Sequence, residues 1–421
     1  MNEIADNIRK YVLQAERGIL DVFMNLDDIE AYNQEKVLNA FQHNAIALRH
    51  FAPTTGYGYD DIGRDALDAV FAASLDAEDA LVRPQLTSGT HAIFMALCGL
   101  LEPGDTLLTA TGAPYDTLLG AIGITGDEAG SLKRRGIFYK QLELANGHID
   151  TPNLLRALKE DDSITLVYFQ RSRGYSWRNA VSPEAMGAAF AAIKAARPDA
   201  LIFVDNCYGE FTQKHEPTYY GADVIAGSLI KNPGGGIAPT GGYIAGKKTL
   251  VERIANSLTV PGMGREVGSY AGGYAPFFEG LFLAPHTTVQ SLKTAALFAR
   301  VFEMAGMETL PASTDERYDI VQSLRFPTAE ALVALVRSIQ KAAPVDSSVS
   351  PEPWDMPGYN SKVIMAAGAF TQGSSIELSA DAPMVEPYTA YIQGGLTFAH
   401  GRIGVMYALD ALVRAGEISL K

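Results

Sequence analysis

The sequence is poor in the features that mark secreted, membrane-spanning and metal-binding proteins. Its 421 residues include two cysteines, Cys98 and Cys207, too few for a disulfide framework. The seven histidines are scattered without the spacing of a metal site, so no metal is expected. No uncharged apolar run reaches the length of a membrane span, and the N-terminus carries acids where a signal peptide has an apolar core. A cytoplasmic protein without a membrane partner is therefore expected.

Basic residues are also scarce. Lysine and arginine number 34 against 48 acidic residues, which gives a net charge of −14 at pH 7. This balance argues against nucleic acid and anionic membranes as partners. It leaves room for a phosphate-bearing cofactor, because backbone amides and helix ends bind phosphate locally. A chain of this length is too long for one compact core, so two domains are expected.

An acid and a lysine follow two short apolar runs. Leu201–Val204 ends on Asp205, and residues 223–228 end at a polar turn that holds Lys231. Both runs are typical of buried parallel strands, whose carboxyl ends collect the chemistry of a doubly wound sheet. Pyridoxal phosphate needs this pair: the lysine forms the internal aldimine, and the carboxylate keeps the ring nitrogen protonated. Taken singly, the residues are better explained as a surface lysine and a helix cap.

A third segment offers a phosphate site. Ser88, Gly89 and Thr90 lie between a predicted strand and a predicted helix that begins at His91. Free amides of Gly89 and Thr90, together with the helix dipole, form a cup for phosphate. Alone, the pattern is equally typical of a plain helix cap. Ser228, close to the lysine in sequence, is a further candidate for the cofactor phosphate.

Other predicted strand ends supply an aromatic residue and arginines. Tyr115 lies at a turn, where it either stacks on a planar cofactor or caps a helix. A later strand ends in RSRGYSWR, with Arg171, Arg173 and Arg178. Arginine there needs an anion or stays solvated, so a substrate carboxylate or a cofactor oxygen is expected as the partner of Arg171 or Arg173. Arg173 is the first candidate and Arg402 the second. Either is alternatively an interface ion-pair residue, which is the preferred interpretation of Arg402.

Strands alternate with helices from about residue 80 to 250, the pattern of an α/β domain. The aromatic, glycine-rich residues 264–286 predict an active-site or interface loop, followed by a helix from Thr287 to Ala305. The predicted divisions are a helical arm at 1–55, a large α/β domain at 56–305 and a smaller α+β domain at 306–421.

Four longer motifs, GYGYDD, DNCYGEF, GSLIKNPGGG and QGGLT, resemble those of the fold-type I pyridoxal phosphate enzymes. The resemblance is closest to the methionine γ-lyase and cystathionine β-lyase group, in the branch named after aluminium resistance, and it runs from about Ala45 to the end. It implies an aspartate-aminotransferase-like large domain with a mainly parallel sheet. It also implies a lyase that breaks a carbon–sulfur bond of an amino acid by β- or γ-elimination. Homodimers or homotetramers with shared active sites are expected.

The resemblance also implies roles for single residues. Lys231 is the aldimine lysine and the general base, and Asp205 is the partner of the ring nitrogen. Tyr115 stacks on the ring, and either Tyr115 or a loop tyrosine assists the elimination as an acid. The phosphate is held by the group Ser88, Gly89, Thr90 and Ser228. Tyr57 or Tyr59 reaches the site of the neighbouring subunit.

The chain departs from the well-studied lyases at the residue before the lysine. Ile230 stands there in place of a residue with a side-chain hydroxyl. Other groups of the site are therefore expected to make the phosphate contact of that hydroxyl. The core motifs also serve aminotransferases and aldolases, which stay open as alternatives. A protein that holds pyridoxal phosphate without catalysis is the remaining alternative.

Overall fold

A computed structural model describes residues 4–356 and 361–420 of the chain. Across these two ranges the α-helices are α1 (Asp6–Arg17), α2 (Leu20–His43), α3 (Ile62–Ser74), α4 (Gly89–Leu100), α5 (Asp116–Ile122), α6 (Thr151–Glu160), α7 (Pro183–Ala196), α8 (Lys248–Leu258), α9 (Ala275–Met304), α10 (Ala329–Ala342) and α11 (Phe398–Arg414). None of the helices within the described ranges is long and apolar enough to cross a membrane.

The larger sheet has seven strands. They are β1 (Asp79–Arg83), β2 (Thr106–Thr109), β3 (Phe138–Gln141), β4 (Ile164–Gln170), β5 (Leu201–Asp205), β6 (Val224–Ser228) and β7 (Gly242–Gly246). Their order is β1-β7-β6-β5-β4-β2-β3, and only β7 runs antiparallel to its neighbours. The predicted α/β fold with a mainly parallel sheet is confirmed.

Both faces of this sheet are covered, which explains why its strands are apolar throughout. On β5, Ile202 and Val204 pack into the core beneath α3, α7 and the first half of α9. Phe203 points to the opposite face and packs into the core formed with α4 and α8. Because alternate side chains enter different cores, the strand has no polar face.

The second sheet has five antiparallel strands. They are β8 (Thr309–Leu310), β9 (Gln322–Arg325), β10 (Val363–Ala366), β11 (Ser379–Pro383) and β12 (Thr389–Gln393), in the order β10-β11-β12-β9-β8. The core of this sheet includes α10, α11 and the second half of α9. The predicted smaller α+β part at the C-terminal end is confirmed. Ile8 and Val12 of α1 also enter this core, where the N-terminal helix packs against α9 and α11. The three predicted domain boundaries stay a prediction.

The loop predicted at residues 264–286 is wrong in its second half, because α9 begins at Ala275. The helix contains Gly280 and Pro285, two residues typical of loops. Gly280 is there because the helix lies against the turn at Gly234. A Cβ on Gly280 would lie 2.3 Å from the carbonyl oxygen of Gly234. The glycine therefore serves close backbone packing rather than a turn.

We expect Gly280→Ala to destabilise the protein, since the added methyl group forces α9 away from the turn at Gly234. Overpacking of this kind costs about 1–3 kcal/mol in the free energy of unfolding. Gly120→Ala is the matched control, because a Cβ on this helical glycine would meet only the Glu128 side chain, at 3.9 Å. Urea unfolding measures the free energy of unfolding of both variants. Equal unfolding midpoints for the two variants would contradict the packing argument.

Candidate active site

A cavity of about 230 Å³ lies where the carboxyl ends of β5 and β6 meet the N-terminus of α4. Seven of the residues predicted from the sequence line it: Ser88, Gly89, Thr90, Tyr115, Asp205, Ser228 and Lys231. Strand pairing brings the acid and the lysine together, because Asp205 lies opposite Ala226 in the parallel ladder and Lys231 follows in the next turn. The cavity is thus built at the edge of the sheet where ligands of open α/β proteins bind.

Lys231 lies half-buried in this cavity, with Nζ 3.9 Å from the centroid of the Tyr208 ring. Burial alone would lower the pKa of Lys231, but the surrounding groups Cys207, Tyr208 and Asp205 outweigh burial and raise it. Burial raises the pKa of both the Cys207 thiol and the Tyr208 phenol, so both are neutral near pH 7. Burial also raises the pKa of Glu210 to about 8. The Asp205 carboxylate is therefore the charge that holds Lys231 protonated.

Asp205 is buried at the end of β5. Its Oδ2 accepts a hydrogen bond from the Tyr168 hydroxyl at 3.1 Å, and its Oδ1 accepts one from the Cys207 amide at 3.1 Å. Burial raises the pKa of Asp205, and the charge of Lys231 opposes this. A buried carboxylate held in place by two donors is suited to a ligand that brings a cationic N–H.

The N-terminus of α4 forms another wall. The Ser88 side chain accepts a hydrogen bond from the His91 amide at 3.1 Å and caps the helix. The first helical amides, at Gly89 and Thr90, have no partner within the helix and point toward an anion site. A Cβ on Gly89 would lie 3.1 Å from Sγ of Cys207 and 3.2 Å from Cβ of Ser228, so a larger residue would fill the cradle.

Pyridoxal phosphate fits this donor set. The amides of α4 and the Ser228 hydroxyl suit its phosphate, and the Asp205 carboxylate suits its ring nitrogen. Lys231 would supply the amine that reacts with its aldehyde. The N-terminus of α4, Ser228, Asp205 and Lys231 all line one cavity. Gly89 has no side chain to fill this cavity, which leaves room for a planar ring.

The predicted tyrosines fall into two groups. Tyr115 precedes α5 and lines the cavity, with its ring centroid 6.1 Å from that of Tyr175. Tyr57 and Tyr59 are 68% and 60% exposed and do not line it. Their rings stack on each other at 5.4 Å. Since a neighbouring subunit was expected to receive them, their role stays a prediction.

The two arginines predicted for the substrate are held by distant carboxylates. Arg173 is buried, with Nη2 3.4 Å from Oδ1 of Asp319, and it donates to the carbonyl of Leu310 at 2.8 Å. Arg402 pairs with Glu16 at 3.1 Å. Neither lines the cavity at Lys231, so the structure does not bring them to the other site residues. Their role in substrate binding stays a prediction.

Sequence reasoning missed several residues of the cavity. Tyr208 has a left-handed φ of 71°, and the Ser375 hydroxyl donates to the Tyr208 hydroxyl at 3.2 Å. Gln170, at the end of β4, also lines the cavity. An aromatic residue in the turn DNCYGEF was a usable signal for Tyr208. No local signal identifies Ser375, because it comes from the part of the chain that forms the second sheet.

The profile of the methionine gamma-lyase family matches residues 8–413. The chain belongs to this family. The match takes in both sheets and all the residues predicted for the site.

Known structures agree with this membership. A protein of Clostridium novyi named as a carbon-sulfur lyase involved in aluminum resistance is 51% identical, with 97% of this chain and 96% of that chain covered at a TM-score of 0.94. A protein of Clostridium acetobutylicum, whose name proposes a cystathionine beta-lyase involved in aluminum resistance, is 47% identical. The comparison covers 97% of this chain and 96% of that chain at a TM-score of 0.95. The pyridoxal-5'-phosphate-dependent protein YhfS of Escherichia coli shares the fold at 16% identity, over 92% and 97%, with a TM-score of 0.64.

Proposed function

We propose that this protein is a pyridoxal phosphate-dependent lyase that breaks a carbon–sulfur bond of an amino acid by β- or γ-elimination. The observation that carries the proposal is the meeting of Lys231 and Asp205 in one cavity beside the N-terminus of α4. Membership of the methionine gamma-lyase family and the carbon-sulfur lyase name of the Clostridium novyi protein support elimination over other reactions of such sites.

The cavity residues would divide the binding of the cofactor among them. Gly89 and Thr90 amides, with Ser228, would hold the phosphate, Asp205 would hold the protonated ring nitrogen, and Tyr115 would cover one face of the ring. When bound, pyridoxal phosphate supplies an electron-poor ring that stabilises negative charge at the Cα of an amino acid. Asp205 keeps that ring electron-poor because its carboxylate favours the protonated nitrogen.

Lys231 would move the proton at the substrate Cα. As a base it must first lose its own proton, which the Asp205 charge opposes. When Asp205 pairs with a cationic N–H, its charge is neutralised and the pKa of Lys231 falls toward the working range of a general base. Lys231 then accepts the Cα proton, and in β-elimination the electron pair left behind forms the Cα–Cβ double bond as the bond to sulfur breaks and the thiol leaves. In γ-elimination a proton must also leave Cβ before the bond between Cγ and sulfur breaks. Tyr115 is the proposed donor of the proton that the sulfur takes up.

The proposed assembly is a homodimer or homotetramer with shared active sites. Its support is the exposed pair Tyr57 and Tyr59, two stacked aromatic rings on a loop outside the cavity of their own chain. Exposed tyrosines of this kind suit a protein interface, because they combine a large apolar surface with a polar tip.

Absorbance spectroscopy of the purified protein tests the function. We expect a visible band from bound pyridoxal phosphate that changes when a sulfur amino acid is added, with release of an α-keto acid, ammonia and a thiol. A panel of cysteine, cystathionine and methionine separates β- from γ-elimination. Transfer of the amino group to a second keto acid without thiol release would instead indicate an aminotransferase. A band that no amino acid changes would contradict any catalytic role.

A further inference from the structure

The ammonium group of Lys231 lies on the face of an aromatic ring. Its Nζ is 3.9 Å from the centroid of the Tyr208 ring. A cation is attracted to a π face over a distance of about 6 Å, so this contact is a close one. In the described part of the chain Lys231 forms no ion pair with a carboxylate, and Asp205 acts on it only from a longer distance. The Tyr208 ring is therefore a direct partner of the ammonium, and the carboxylate is not.

The Tyr208 ring is fixed at both of its ends. The Tyr208 carbonyl accepts a hydrogen bond from Nδ2 of Asn232 at 3.0 Å, and the same Nδ2 donates to the carbonyl of Glu210 at 2.9 Å. Asn232 is buried and directly follows Lys231, so its side chain ties the turn of the lysine to the turn of the tyrosine. At the other end, the Ser375 hydroxyl donates to the Tyr208 hydroxyl at 3.2 Å. The contact between the ring and the ammonium is thus preorganised.

Other ionisable groups also act on Lys231, and they are Asp205, Cys207, Glu210 and Asp381. Burial raises the pKa of Cys207, and it raises the pKa of Glu210 to about 8, so both are neutral near pH 7. Asp381 belongs to β11, and burial raises its pKa to about 6. Near pH 7 the charges around Lys231 are therefore those of Asp205 and Asp381, and neither forms an ion pair with it among the described residues.

Binding of the cofactor would change what is available to Lys231. In the proposed function the ring nitrogen of the cofactor neutralises Asp205, and Lys231 then takes a proton from the substrate Cα. The transfer turns a neutral amine into an ammonium, while the electron pair of the broken C–H bond stays with the substrate. A π face attracts the ammonium and not the neutral amine, so contact with the Tyr208 ring favours the transfer.

We propose that Tyr208 is a positioning residue whose ring face holds the Lys231 ammonium that forms when Lys231 accepts the substrate proton. The inference rests on the proposed function for the source of that proton. The contact itself involves only residues of this chain, so it is also testable without turnover.

Fluorinated phenylalanines at position 208 test the ring face, because each fluorine withdraws electron density from the face and nearly keeps the shape of the ring. The first readout is the rate at which acetic anhydride acetylates Lys231 in the cofactor-free protein, followed by mass spectrometry, since only the neutral amine reacts. We expect one to three fluorines to raise this rate stepwise. Relative to Tyr208→Phe, the rate in Tyr208→Leu should rise about 5- to 30-fold, the strength of a partly to fully desolvated cation–π contact.

The second readout is kcat, which we expect to fall in the same order and by a similar factor. Tyr208→Phe keeps the ring face, so both of its readouts should stay within about threefold of the wild type. Tyr32→Leu is the matched control, because Lys214 lies over the Tyr32 ring at 5.6 Å and neither residue lines the cavity. We expect it to change neither readout.

Thermal melting shows whether each variant is folded, and the fluorinated series carries the comparison if Tyr208→Leu is not. An acetylation rate that does not depend on the number of fluorines would overturn the ring contact. A dependence of acetylation on fluorine without any change in kcat would overturn the role of the ring in proton transfer. A wild-type protein that turns over no amino acid would overturn the proposed function, and the acetylation series would then still decide whether the ring holds the ammonium.

Discussion

Lys231→Ala is expected to abolish the visible absorbance of the bound cofactor and to lower kcat by about 10²- to 10⁴-fold or more, the range lost with a general base. The side chain has no substitute nearby. Lys231 lines the cavity, and no other lysine is among the residues that form this cavity in the described part of the chain. Absorbance spectra and release of α-keto acid from a sulfur amino acid measure the two effects.

The control for this prediction is Lys248→Ala, at an exposed lysine at the start of α8. We expect it to keep both the absorbance and the activity of the wild type. Thermal melting of Lys231→Ala separates loss of chemistry from loss of fold. A folded Lys231→Ala protein that still releases α-keto acid at the wild-type rate would refute the proposed role of the lysine.

The central pair of the site was predictable because both of its members follow from local patterns. Asp205 ends one apolar strand, and Lys231 follows another. Parallel strands that are neighbours in the sheet place their carboxyl ends together, and β5 and β6 are such neighbours. Two local patterns and one rule of topology thus suffice to bring the residues to one cavity.

The start of α9 was not predictable in the same way. Glycine and proline occur mostly in turns and loops, so Gly280 and Pro285 indicated a loop. The actual reason for the glycine is the backbone of Gly234, which approaches α9 from a turn 46 residues earlier in the chain. A tertiary contact therefore overrode the local pattern, and nothing in the segment itself reports such a contact.

Arginine partners were unpredictable for a related reason. The carboxylate that binds Arg173 belongs to Asp319, 146 residues away, and the one that binds Arg402 belongs to Glu16, 386 residues away. Sequence position shows that an arginine needs an anion but not whether the chain itself supplies one. Arg178 belongs to the same motif as Arg171 and Arg173, which pair with carboxylates. Only the structure shows that Arg178 instead donates to backbone carbonyls.

Asp205→Asn is expected to lower kcat by about 10²- to 10³-fold, the usual loss when one preorganised electrostatic group is removed from an active site. An amide cannot hold the ring nitrogen in its protonated form, so the ring would withdraw less charge from the substrate. Tyr168→Phe is the matched control, because it removes one donor to the carboxylate and keeps its charge. A smaller effect, within about tenfold, is expected for this control.

The thermal stability of the cofactor-free Asp205→Asn protein is not expected to fall together with its kcat. Burial raises the pKa of Asp205 despite the attraction of Lys231, so the folded protein disfavours the charged carboxylate relative to the unfolded chain. The contribution of Asp205 to stability is therefore fully present at low pH and is lost as pH rises through the raised pKa. Without the Asp205 charge, burial favours the neutral form of Lys231, so no unpaired buried charge is left behind. Above that pH the cofactor-free Asp205→Asn protein should therefore melt at a temperature equal to or higher than the wild type. Weakened catalysis with an undiminished melting temperature would identify Asp205 as a residue kept for function at a cost in stability. A large fall in melting temperature, with cofactor binding and kcat retained, would show instead that the carboxylate serves the fold.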